Sequence, residues 1–144
     1  MSDETLPQAL AEISEEFLAV GERDRLQLLL EFSRELPALP QRLADHPELL
    51  ERVAECQSPV FIVAEIEGGV VHLHATAPEE APTTRGFASI LVQGLEGLTP
   101  GEVLATPNDV AHRLGLGRAV SPLRLSGMSG MLARIKRQVA ARAV

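Results

Sequence analysis

The sequence predicts an α+β fold, a small antiparallel sheet packed with helices. Three observations predict it. Apolar residues recur at helical spacing over the first 36 residues and again after Pro82, a run rich in β-branched residues between Val60 and Thr76 is broken by Glu67-Gly68-Gly69, and Pro and Gly keep every element short. Helices, then a hairpin, then helices is the α+β order.

Taken along the chain, Thr5-x-x-Gln8 resembles a capping box, and Leu6, Leu10, Ile13 and Phe17 share one face of a helix running up to Gly21. A second helix is predicted from about Arg23 to Leu36, with Leu26, Leu29, Leu30 and Ser33 on one face and Pro37 as its stop. Three prolines among scattered leucines make residues 37–55 an irregular segment laid over the core. Val60–Ile66 and Val70–Thr76 then read as the two strands of a hairpin.

Pro82 opens a helix carrying Phe87, Ile90, Leu91 and Leu95, with its end near Gly97. Thr99-Pro100-x-Glu102 and Thr106-Pro107-x-Asp109 repeat one start grammar: a Thr cap, Pro at the first helical position and an acid in the first turn. The second of these short helices stops at Gly115. A last helix, starting between Ser121 and Ser126, lines up Leu125, Met128, Leu132, Ile135 and Val139 against Arg and Lys.

A chain of 144 residues fits one domain, residues 1–144, large enough to bury roughly 70% of its unfolded surface without a disulfide or structural metal. With four Phe and no Trp or Tyr, the core must be built of Leu, Val, Ile and Ala. A net charge of -7 argues against nucleic-acid binding. The charge is uneven: residues 1–55 carry thirteen of the twenty acids, whereas Leu116–Val144 holds six basic residues and no acid. That asymmetry either docks a partner or is balanced within the fold. No window reaches the ~20 apolar residues of a membrane span, and "MSDETLPQ" lacks the features of a secretory signal, so a cytoplasmic location is expected.

The one cysteine, Cys56, stands in "AECQSPVFIV" at a loop-to-strand junction among polar neighbours, where a scaffold presents functional residues. It cannot form an internal disulfide and falls short of a zinc site. Glu55 beside it raises a thiol pKa unless a cation compensates. His72 and His74 share a strand face without a third ligand in view, and His46 and His112 read as solvent-facing. Gly127 and Gly130 in "RLSGMSGML" lack the Lys-Ser/Thr ending of a phosphate loop and are expected to let the last helix pack closely near its start.

Together, "ECQSPVFIV", "TTRGFASILVQGLEGLTPGEV" and "LGLGRAVSPLRLSGMSGMLARIK" resemble, in order and spacing, the SufE-type sulfur-acceptor proteins of iron–sulfur cluster assembly, with a SufE/NifU-like fold. The family motifs fall on Cys56-Gln57-Ser58, Arg85-Gly86 and Ser121-Pro122-Leu123-Arg124-Leu125-Ser126-Gly127. The resemblance implies that Cys56 receives sulfur from the persulfide of a PLP-dependent, SufS-like cysteine desulfurase and relays it to a SufBCD-like scaffold. PLP would belong to the partner, and this chain would bind no cofactor.

The same resemblance assigns partner docking or loop support to Gln57, Ser58, Glu80, Arg85 and Arg124. It also implies a resting thiol tucked against an apolar cavity, walled by Val60–Val63 and the following helix, that swings out on docking. Glu55 stands where many relatives have Gly, and Phe61 where they have Trp. The chain is expected to be a monomer or homodimer. Three cysteines would be needed for a cluster scaffold, so the surviving alternative is an interaction module with an incidental thiol.

Overall fold

Proline and glycine set most of the element boundaries in the computed structural model, which describes residues 5–143. Helix α1 (Gln8–Leu18) follows Pro7, and α2 (Glu22–Ser33) follows Gly21. The capping box at Thr5 does not form: Pro7 occupies the cap position in an extended conformation, and the Gln8 side chain donates instead to Glu12 at 3.3 Å. Helix α2 stops three residues before Leu36, and Leu26 is exposed. Arg25, four residues before Leu29, turns inward in its place, donating to the carbonyls of Phe17 (2.9 Å) and Gly115 (3.1 Å).

Residues 37–55 are mostly irregular, as expected, but contain a one-turn helix α3 (Gln41–Ala44), a 3₁₀ turn at Pro47–Leu49 and a strand β1 (Glu51–Arg52). A two-residue strand is too short to show a period. It pairs antiparallel with β2 (Phe61–Glu67), which pairs with β3 (Val70–Thr76) in the order β1-β2-β3. Gly68 (φ 62°) and Gly69 (φ 80°) make the turn that leaves Glu67 opposite Val70. Both angles are left-handed, as the tight hairpin turn demands.

Helix α4 (Pro82–Leu95) lies at the centre, buried from Gly86 to Val92. Sheet residues Ile62, Leu73 and Ala75 pack on one side of it, while α1 and α2 pack on the other. The second contact depends on two glycines: a Cβ on Gly86 would stand 2.6 Å from the Leu29 carbonyl oxygen, and one on Gly94 would collide with the Leu10 side chain. Gly97 (φ 81°) then turns the chain so that residues 97 and 98 bond to Val71 and cover the outer edge of β3.

Helix α5 (Pro100–Leu104) has the expected capping box, Thr99 with Glu102. Helix α6 (Val110–Arg113) starts later than its sequence grammar suggests, because the Thr106 hydroxyl donates to the Glu102 carbonyl and Asp109 takes the cap position. Helix α7 (Pro122–Arg142) is capped by Ser121 and buries Met128, Leu132, Ile135 and Val139. Its C-terminal half packs against β2, and its first turns lie beside residues 53–58. Over the other face of the sheet, Leu43 and Leu50 cover Val63 in a small second core.

Candidate functional site

Between β1 and β2 the chain makes a short loop. Its neck is the Val53 N–H to Val60 carbonyl bond (2.9 Å) between two fully buried valines, and the Cys56 N–H donates back to the Val53 carbonyl (3.1 Å). Two apolar anchors and two polar residues at the tip explain why the segment turns back on itself. Cys56 is only 6% exposed, so the thiol points inward while Glu55 and Gln57 face solvent.

Helix α7 receives the loop through its glycines. A Cβ on Gly127 would lie 3.0 Å from the Cys56 Sγ, and one on Gly130 would lie 2.7 Å from the Glu55 carboxyl carbon. Close packing of this helix was expected from these glycines; its partner is the cysteine loop itself.

Glu55 Oε1 accepts from Arg134 Nη2 (2.8 Å) and Nε (3.1 Å), while Arg134 Nη1 reaches Glu51 at 2.7 Å. Glu51 also pairs with Arg137 and accepts from Gln138 Nε2 (2.9 Å), whose Oε1 takes the Ala64 N–H at 2.8 Å. Partial burial, the largest single influence, pushes the Glu51 carboxyl up, but the hydrogen bonds from Arg137, Gln138 and Arg134 together hold it at about 2. The network stitches β1, the cysteine loop and β2 to α7.

Burial, and then the Glu55 charge, push the Cys56 thiol up to about 11. Arg134 and Arg52 pull it down, but by less. At neutral pH the resting side chain is therefore a thiol and not the nucleophilic thiolate.

Beside the thiol opens a cleft of about 340 Å³. Glu55 to Ser58 form one wall, Glu80, Ala81, Pro82 and Thr84 a second, and Leu123, Arg124 and Gly127 the third. Of the residues singled out in the sequence, Gln57, Ser58, Glu80 and Arg124 thus gather around Cys56. Arg85 does not line the cleft: its guanidinium donates to the carbonyls of Ser33 (2.8 Å) and Ala77 (2.5 Å), tying the end of α2 to the segment that leads to Glu80. Val60–Val63 do not wall the cleft either, because Val60 and Ile62 face the main core and Val63 the second one.

Arg124 is exposed, and among the described residues its guanidinium has no hydrogen-bond or ion-pair partner, while Leu123 beside it is 56% exposed. The histidines of β3 are engaged elsewhere, His72 with Glu96 (2.6 Å) and His74 with Glu65 (3.3 Å). Among the described residues no three His, Cys, Asp or Glu converge as metal ligands.

Sequence reasoning missed Arg134 and Glu51; the helix expected as a wall does contribute, but through Pro82 and Thr84 of its first turn rather than through its apolar stripe. One signal was available: Gly127, Gly130 and Arg134 are spaced i, i+3, i+7 and so share one face of α7.

A lone thiol on a short loop, seated on a glycine-notched helix at the edge of an open cleft, defines a single-thiol α+β protein. The SufE family model, described as an Fe-S metabolism associated domain, matches residues 11–139. A SufE-like protein of Mycobacterium tuberculosis is 53% identical over 136 residues, covering 94% of each chain. A SufE-like protein of Synechocystis is 30% identical over 88% of this chain and 77% of its own. The solution structure of a hypothetical protein from Thermus thermophilus superposes with a TM-score of 0.84 at 38% identity, covering 96% of this chain and 98% of that one. The chain belongs to the SufE family, and with it to iron–sulfur metabolism.

Proposed function

We propose that this protein is a sulfur acceptor: Cys56 takes the terminal sulfur of a persulfide carried by a PLP-dependent cysteine desulfurase and passes it to a SufBCD-like scaffold. The observation that carries the reading is the position of the chain's one cysteine on a loop at the edge of an open cleft.

The Cys56 thiolate attacks the outer sulfur of the donor persulfide, a new S–S bond forms on Cys56, and the donor cysteine leaves as a thiolate that takes up a proton. No external oxidant or reductant is consumed. No second cysteine is present to attack the bound persulfide and expel sulfide. Removing sulfur from the donor frees it for another turnover, which is how the acceptor stimulates the desulfurase. PLP serves the partner, and Gln57, Ser58, Glu80 and Arg124 form the rim on which that partner docks.

Incubation with a cysteine desulfurase, PLP and free cysteine is expected to add one sulfur atom to the intact mass, removable by dithiothreitol, and to add none to Cys56→Ser. A wild type that gains nothing, or a serine variant that gains as much, sinks the reading. A serine variant that still supports sulfur relay points instead to an interaction module with an incidental thiol.

A further inference from the structure

Cys56 is 6% exposed, so it offers little surface to a donor sulfur while the loop keeps this position, although it borders the cleft. The thiol has to leave its seat on α7. Among the described residues, the one side-chain hydrogen-bonding link between loop residues 53–60 and α7 is the Glu55–Arg134 pair. Glu51 holds Arg134 from the other side, so the guanidinium is oriented before Glu55 arrives and stays on α7 when Glu55 departs. Gly130 makes the room that the Glu55 side chain occupies, as Gly127 does for the thiol.

We propose that Glu55 and Arg134 are positioning residues forming a latch that keeps the Cys56 loop seated on the Gly127–Gly130 face of α7, and that the latch must open before Cys56 reacts. Its link to sulfur transfer rests on the acceptor reading above; the latch itself follows from the geometry of the loop.

Two effects of Arg134 on the thiol have opposite signs, which makes the latch testable. As a nearby cation Arg134 favours the thiolate, so losing its charge alone slows the thiol. As the latch, its loss frees the loop and speeds the thiol. The probe is iodoacetamide, used on the full chain without any partner, with circular dichroism to confirm folding.

Arg134→Ala is expected to raise the alkylation rate roughly fivefold, the size a partly exposed ion pair supports. Arg134→Lys is expected to return most of the wild-type protection. Gly130→Ala would set a methyl group 2.7 Å from the Glu55 carboxyl carbon and 2.9 Å from its Cβ, so it is expected to lift the loop and speed alkylation, with better helix propensity offsetting part of the lost contact. This variant also keeps the test open should Arg134→Ala fold poorly. Arg42→Ala removes a distant ion pair with Glu65 and is expected to leave the rate unchanged.

A rate at or below wild type in Arg134→Ala and Gly130→Ala overturns the latch, and so does an equal rise in Arg42→Ala. Sulfur uptake is measured on the same proteins. Faster alkylation in variants that, like wild type, take up no sulfur keeps the latch and removes the acceptor role; unchanged alkylation with normal sulfur uptake does the reverse.

Discussion

At the scale of single residues, Cys56 carries two properties that its neighbours impose. Burial and Glu55 keep it protonated, so the alkylation rate of the folded chain is expected to keep rising up to a pH of about 11, while the urea-unfolded chain levels off near 9. The same shift enters stability. A thiol raised from 9.0 to about 11 on folding contributes fully below pH 9 and loses that contribution as pH climbs toward 11. Wild type is therefore expected to lose more urea resistance than Cys56→Ser between roughly pH 9 and pH 11. Cys56 was legible from the sequence as the reactive candidate. The upward push of Glu55 on the thiol was legible too, but its hold on α7 was not, because its partner Arg134 lies 79 positions away.

Among the elements, α4 and α7 show how glycine decides packing. Gly86 lets α2 cross α4 with the Leu29 carbonyl against its backbone. A methyl group there meets a backbone atom that cannot rotate aside, so Gly86→Ala is expected to cost about 1–3 kcal/mol in urea unfolding despite better helix propensity. Gly101 in α5 has open space around its Cα, and Gly101→Ala is expected to be neutral or to stabilise by up to about 1 kcal/mol in the same measurement. Helix starts were legible where the signal was local, as at Thr99 and Ser121, both of which cap as their residue types suggest. They failed at Thr5 and Thr106, where Pro7 and the Glu102 carbonyl offered the backbone or hydroxyl another partner.

In the molecule as a whole, one buried cluster joins α1, α2, the sheet, α4 and α7. Urea unfolding is expected to give coincident transitions by far-ultraviolet circular dichroism and by amide exchange of the core helices; two separated midpoints would show that α1 and α2 fold apart from the rest. Acid is expected to act through Glu51. Its carboxyl is held at about 2, against an ordinary 4.5, so its contribution is present above pH 4.5 and lost as pH falls toward 2. Glu51→Gln is expected to flatten that part of the pH–stability curve. The charge asymmetry of the sequence is partly resolved in the same place: Glu51 and Glu55 from the acid-rich first part meet Arg134 and Arg137 of the basic last helix. Arg124 keeps its charge for the rim of the cleft.

By itself the sequence determined the α+β class, the hairpin, most helix boundaries and the cysteine at issue, because periodicity, caps and turn glycines act over a few residues. Only the tertiary structure decided how deeply the thiol rests, that Arg134 holds its neighbour and that the start of α7 closes the cleft. Those contacts join positions far apart in the chain, and no local pattern encodes which distant side chain will meet which.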